Sequence, residues 1–233
     1  MNIFYSPNID GSKYTLSEEE SKHCIRVLRL AKNDEITLVD GKGNLYKTRI
    51  INPEPKRCEV EVYETLHKFE QRDFYLHIAI APTKNIERFE WFLEKATEIG
   101  IDEITPILSE HSERKVVNRE RLEKIVVSAM KQSIKAYMPK LNEMISFKHF
   151  IKEKNDGQMF IAHCNDSNIN QLKNLVQPQE TVTILIGPEG DFSPFEVNLA
   201  IENGFKEISL GRSRLRTETA GVVSCSIVNM INS

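Results

Sequence analysis

The sequence is short of cysteine, shows no excess of one charge and holds no long apolar run. Its four cysteines, Cys24, Cys58, Cys164 and Cys225, lie far apart in a chain of 233 residues. No Cys-x-x-Cys pair occurs, so neither a thioredoxin-like redox motif nor a zinc ribbon has its ligand spacing. His23-Cys24 and His163-Cys164 are adjacent pairs, but their separation is not that of a structural zinc site, and no metal is expected. Acidic residues number 34 against 31 Lys plus Arg. Net charge therefore carries no signature of a nucleic-acid binder, although a basic face can coexist with an acidic reverse. No window of about 20 residues is apolar enough to span a bilayer. The strand-like start, Met1-Asn2-Ile3-Phe4-Tyr5, lacks the basic-then-apolar order of a signal peptide. The expectation is a soluble, cytoplasmic chain with no membrane partner. A Walker A loop and a Gly-x-Gly-x-x-Gly fingerprint are both missing, as are repeats and low-complexity tracts.

What is present divides the chain in two. Residues 1–70 read as a small, mainly β module. Ser17 with Glu20 has the spacing of a capping box. Ile36–Val39 and Leu45–Ile51 flank a turn at Asp40-Gly41-Lys42-Gly43, and Cys58–Tyr63 alternates like a strand. Polar residues from Lys68 to Asp73 make a linker. Beyond it, residues 71–233 alternate strand and helix patterns. Strands are expected near 74–80, 104–108, 159–162, 182–186 and 208–210. Helices are expected at 86–99, closed by Gly100, and at 119–133. The pattern predicts an α/β domain built on a mostly parallel sheet.

Two late segments carry chemistry. In the first, an apolar strand through Leu185 and Ile186 ends in Gly187-Pro188-Glu189-Gly190. Ser193, Pro194 and Glu196 then open a helix with a complete start signal. A tight loop at the carboxyl end of a parallel strand is where α/β proteins bind ligands. Taken alone, the glycines serve either a ligand loop or only a turn. In the second, a strand runs into Leu210-Gly211-Arg212-Ser213-Arg214-Leu215-Arg216, and Thr217 is the candidate N-cap of a helix rich in small residues. Arginines at 212, 214 and 216 fit phosphate or base contacts, or a solvated basic turn. Near the N-terminus, Lys22, His23, Arg26 and Arg29 project cations between apolar anchors, a pattern that fits an RNA backbone as well as an ordinary surface. Lys84, Lys95, His111 and Arg114 stand near strand ends or on the second domain's first helix. Lys95 has Glu94 and Glu98 as alternative partners.

These pieces together resemble the 16S ribosomal RNA (uracil(1498)-N(3))-methyltransferases of the SPOUT superfamily. The resemblance rests on His23-Cys-Ile-Arg-Val-Leu-Arg29, Lys84 with Lys95-Ala-Thr-Glu-Ile-Gly100, Ser112-Glu-Arg114, Gln132-Ser133 with Pro139, Ile186-Gly-Pro-Glu-Gly190 and Leu215-Arg-Thr-Glu-Thr-Ala220. It implies an N-terminal PUA-like RNA-binding β-barrel over residues 1–70. Residues 71–233 would form a SPOUT methyltransferase domain with a deep trefoil knot. It also implies S-adenosylmethionine as methyl donor, 16S ribosomal RNA in the small subunit as substrate, and a homodimer.

Carried over by motif position, Leu185, Gly187, Pro188, Glu189 and Gly190 belong to the first cofactor loop. Leu210, Gly211, Leu215, Arg216, Thr219 and Ala220 come from the second. Lys22, His23, Arg26, Arg29, Lys84, Lys95, Arg212 and Arg214 are the expected RNA contacts. Two departures stand out. Relatives commonly have Glu-Gln-Ser-x-Arg where this chain has Lys131-Gln132-Ser133-Ile134-Lys135, and a second Gly where this chain has Asp191. Uracil N3 is a poor nucleophile until its proton leaves, so the reaction needs a proton acceptor and stabilisation of charge on the uracil oxygens. Arg216 is the candidate stabiliser. Glu218 is the candidate acceptor, or a partner for an arginine, and Arg114 is expected to act from the partner subunit. Two alternatives are a related ribose 2′-hydroxyl methyltransferase and a ribosome-assembly factor without turnover.

Overall fold

Alternating apolar residues between positions 35 and 66 build the first sheet. A computed structural model describes residues 2–153, 156–164 and 170–233, so Met1 of the strand-like start lies outside the described residues. Its chain forms two compact units. The first comprises residues up to Gln71 together with Val127–Met138. Its strands are β1 (Ile3–Tyr5), β2 (Lys13–Thr15), β3 (Glu35–Val39), β4 (Leu45–Asn52) and β5 (Glu59–Leu66). They form one open sheet in the order β1-β3-β4-β5-β2. Two register shifts between β4 and β5 curl the sheet toward a half-barrel, because a bulged strand bends and twists more than a regular one. Phe4, Leu16, Cys24, Ile36, Leu38, Ile50, Cys58 and Val60 fill its core.

Short helix α1 (Glu18–Lys22) starts where Ser17 accepts the Glu20 N–H at 3.2 Å. The chain then continues into a π-helical turn over His23–Val27. The turn at Asp40–Gly43 connects β3 to β4 as expected. It is braced from a distant stretch: Gly43 N–H donates to the Ala136 carbonyl, and Met138 N–H to Gly41, each at 2.9 Å. Met130 and Ala136 pack there against Val39 and Leu45. Linear patterning does not announce this return of residues 127–138.

The second unit comprises Arg72–Val126 and Pro139–Ser233. Its elements follow in the order β6 (Tyr75–Ile80), α2 (Ile86–Ile99), β7 (Glu103–Leu108), α3 (Arg119–Gln132, whose last residues belong to the first unit), β8 (Lys140–Leu141), β9 (Ile145–Ser146), α4 (Phe147–Lys152), β10 (Gln158–Ala162), β11 (Thr181–Ile186), α5 (Pro194–Glu202), β12 (Lys206–Ile208) and α6 (Thr217–Ile231). The sheet runs β12-β10-β11-β6-β7-β8, with β9 also on β7, and every pairing is parallel. Parallel strands need both faces covered. On one face Ala79, Ile107, Phe147, Phe150, Ile161, Leu185 and Phe192 form a single core. Helix α2 takes its N-cap from Asn85, buries Phe89, Phe92, Leu93 and Ala96, and stops at Gly100 with φ 127°.

Helices α2 and α6 meet closely at Gly221, where an added Cβ would lie 2.6 Å from two ring carbons of Phe92. Strand β12 ends at Ile208, two residues earlier than its apolar pattern suggests. The reason lies in a distant segment: Ser209 N–H donates to the Asn170 carbonyl, and the Ser209 carbonyl accepts from Leu172 N–H, which takes its backbone out of the ladder with β10. Among the described residues no helix is long and apolar enough to cross a membrane.

Candidate active site

Because the strands are parallel, the loops after β6, β7, β10 and β11 all leave the same edge of the second unit. The Gly187–Gly190 loop ties them together. Asp191 N–H closes the turn on the Pro188 carbonyl at 2.9 Å. The Glu189 carboxylate accepts the Lys84 N–H at 2.9 Å, joining the loop after β6. His111, after β7, places Nδ1 3.1 Å from the Gly190 carbonyl and 3.0 Å from that of Asp191. A side chain at Gly190 would meet the His111 Cβ at 3.0 Å, so glycine lets this close approach occur.

Asp191, a departure from the glycine that the resemblance leads one to expect, has a φ of 63°, a left-handed conformation that glycine adopts without steric cost. Here its carboxylate offsets the strain. Oδ1 accepts the Phe192 N–H and Oδ2 accepts the Cys164 N–H, both at 2.8 Å, which fastens the loop to the end of β10. Next, Ser193 and Glu196 form the reciprocal capping box of α5, and the second Glu196 oxygen accepts the Glu110 N–H at 2.9 Å. Leu185, Gly187 and Pro188 are buried, while Glu189 and Gly190 are exposed.

The second loop runs from Ser209 to Arg216. The Ser209 hydroxyl donates to the Gly211 carbonyl at 2.9 Å and accepts the Gly211 N–H at 3.2 Å. Gly211 has φ 140°, and nothing lies within 4 Å of where its Cβ would be. Helix α6 is capped by Arg216 rather than Thr217; Thr217 is its first, buried residue. Glu218 sits in the first turn, where the helix dipole favours a negative charge. It is only 7% exposed. Its Oε2 is buried with no hydrogen-bond partner among the described residues, and its Oε1 lies 4.0 Å from the Arg88 Nε. Arg214, Leu215, Arg216, Glu218 and Thr219 face Asn85, Glu87, Arg88 and Trp91 of the α2 start across an open cavity of about 570 Å³.

The remaining expected residues are placed as follows. Arg114 donates from Nε to the Thr83 carbonyl at 2.9 Å and from a terminal nitrogen to that of Lys84. Lys84 pairs with Glu113 at 2.7 Å on the surface. Lys95 is held by Glu94 and Glu98 at 2.7 and 3.0 Å. Arg212 is exposed and Leu210 half-buried; neither lines the cavity. Ala220 is buried beneath it. On the first unit, His23, Arg26 and Arg29 are exposed beside the exposed apolar Val27 and Leu28, and Lys22 pairs with Glu18. Lys131, one of the departures, has its own partner in Glu20 at 2.8 Å.

An RNA methyltransferase domain family matches residues 70–229, and an RNA methyltransferase PUA domain family matches residues 16–63. Ribosomal RNA small subunit methyltransferase E of Aquifex aeolicus is 30% identical, over 98% of this chain and 99% of its own. The chain belongs to the ribosomal RNA small subunit methyltransferase E family. A probable rRNA-methyltransferase from Porphyromonas gingivalis superposes with a TM-score of 0.93 at 41% identity, covering 100% of this chain and 98% of that one. The Neisseria gonorrhoeae methyltransferase E, bound to S-adenosylmethionine, superposes with 0.91 at 26% identity, covering 100% and 98%.

Within this methyltransferase E fold, sequence reasoning brought Arg214, Leu215, Arg216, Glu218 and Thr219 to one place. It missed the opposite wall. Asn85 and Glu87 carried no motif, and Arg88 and Trp91 fell outside the apolar face picked out by periodicity. Their i, i+3 spacing puts both on one side of α2, and that spacing was the available signal.

Proposed function

We propose that the protein transfers a methyl group from S-adenosylmethionine to N3 of uracil 1498 in 16S ribosomal RNA of the small subunit. The observation that carries this reading is the cavity itself. It brings a buried carboxylate with an unpartnered oxygen, Glu218, into one lining with the Arg216 and Arg88 guanidiniums. That donor and acceptor set suits a group that loses a proton while charge builds on neighbouring oxygens.

When bound, S-adenosylmethionine supplies a methyl group already activated by its sulfonium, so positioning is the main remaining task. Backbone groups of Gly187–Gly190 and of Leu210–Ala220 hold it, and the open space at Gly211 fits a ligand lying against the main chain. Glu218 accepts the N3 proton. Arg216 stabilises charge on the uracil carbonyl oxygens. Arg114 fixes the loop after β6 through Thr83 and Lys84; in a homodimer it stands ready for the partner's site.

Residues 1–70 are the RNA-binding domain in this reading, gripping phosphates through Lys22, His23, Arg26 and Arg29, and residues 71–233 perform the transfer. The ribosomal substrate places the protein in the cytoplasm. Arg216→Ala tests the assignment. Turnover should fall by about 100-fold or more with S-adenosylmethionine affinity unchanged, and near-normal turnover removes Arg216 from the chemistry.

A further inference from the structure

We propose that Trp91 is the stacking platform on which the cavity holds the unstacked target base. This rests on the methyltransferase reading above and adds the element that reading leaves out, which is how a flat, uncharged ring is held. The chain has one tryptophan. In helix α2, Phe89, Phe92, Leu93 and Ala96 are turned into the core and fully buried. Trp91 is instead 42% exposed and lines the 570 Å³ cavity. Leaving so large an apolar ring at the cavity surface forfeits part of the burial that its neighbours gain, and it offers the cavity a flat apolar face.

The rest of the lining specifies that occupant. Arg88 is one helical turn from Trp91, and Arg214 and Arg216 come from the facing loop. These guanidiniums donate hydrogen bonds and accept none. Glu218 supplies acceptor oxygens, and its Oε2 is unpartnered inside the wall. A π-face, guanidinium donors from both walls and a carboxylate acceptor match uracil, whose two carbonyl oxygens accept on either side of the N3–H donor. Cytosine has a lone pair at N3, which would face the carboxylate unfavourably. Bases taken out of a stack are commonly held on aromatic rings and read along their Watson–Crick edge.

The test compares Trp91→Ala and Trp91→Phe with the unaltered full-length protein, using undermethylated small ribosomal subunits and S-adenosylmethionine. Alanine removes the platform, and phenylalanine keeps one. Stacking on an aromatic residue predicts a rise of about 5- to 150-fold in KM for the subunit with alanine. Phenylalanine should restore most of it. Binding of labelled S-adenosylmethionine and the thermal midpoint should stay at wild-type values in both. A KM within twofold of wild type for Trp91→Ala overturns the proposal, as does loss of S-adenosylmethionine binding in step with activity. If the unaltered protein binds S-adenosylmethionine but methylates no subunit, the functional reading fails, and the platform fails with it. A failure confined to the Trp91 variants leaves that reading standing.

Discussion

Replacing Glu218 by glutamine should leave stability nearly unchanged and make the protein far less active. The carboxylate is 93% buried, as the complement of its 7% exposure. One oxygen has no partner, and an unsatisfied buried polar atom costs about 1–3 kcal/mol, more when charged. Against this, Arg88 lies 4.0 Å from the other oxygen, with its own side chain 42% exposed. A pair open to solvent on one side and too long for a hydrogen bond contributes about 0–1 kcal/mol. Glutamine keeps a polar atom at the unpartnered position and gives up the charge that the α6 N-terminus favours, so the balance for Glu218→Gln lies within about 1 kcal/mol of zero. Turnover changes far more, since removing a positioned proton acceptor costs about 10²- to 10⁴-fold, or about 3–5 kcal/mol of barrier. Urea unfolding followed by the fluorescence of Trp91, the single tryptophan, reads the stability of the second unit, and methyl transfer to small subunits reads kcat. A stability change larger than about 2 kcal/mol in either direction refutes this balance. A kcat within threefold of wild type refutes its role as acceptor.

Three further outcomes follow from the same geometry. Burial holds the His77 imidazole down at about 4, from 6.5, where it packs edge-on to Phe150 and contacts the Thr105 hydroxyl at 2.7 Å. The unfolded chain therefore binds the proton first, and stability is lost as pH falls from about 6.5 toward 4, by about 3 kcal/mol at the lower limit. Unfolding measured from pH 7 to 4 should show a shallower loss in His77→Gln, and parallel losses would contradict the assignment. Gly221→Ala should lower stability although alanine is the better helix former by about 1 kcal/mol. Its Cβ would sit 2.6 Å from the Phe92 ring, and overpacking costs about 1–3 kcal/mol; a raised melting midpoint would show that the helices separate freely. Arg26→Ala with Arg29→Ala should flatten the salt dependence of RNA binding by about two units of slope, and an unchanged slope would remove the phosphate role of that turn.

Where local chemistry decides, the sequence was readable. Helix α2 occupies 86–99 as its apolar spacing requires, and the Ser193–Glu196 box opens α5 where its residues place it. Apolar patterning located β3, β4, β6, β7, β10 and β11 to within a residue or so at each end, because a strand with a buried face leaves little room for polar side chains on it. What stayed hidden depends on partners distant in sequence. The end of β12 is set by Asn170 and Leu172, and residues 127–138 return to the first unit through contacts with Gly41 and Gly43. The knot came only from the resemblance, since periodicity does not encode threading. At the site, motif position found the loop wall at 214–219. The α2 wall was missed because Arg88 and Trp91 lie off the apolar face that periodicity picks out, where a side chain reads as ordinary surface. Asp191 shows the opposite case: its departure from glycine became intelligible only with its φ and its two backbone partners.

The most direct test of the whole account is methyl transfer from labelled S-adenosylmethionine to undermethylated small ribosomal subunits, followed by nucleoside mass spectrometry with site mapping. The account predicts one 3-methyluridine per subunit, at uracil 1498. Label on a ribose hydroxyl or at another base would contradict the proposed reaction, and bound S-adenosylmethionine with no transfer to the subunit would contradict the proposed function as a whole.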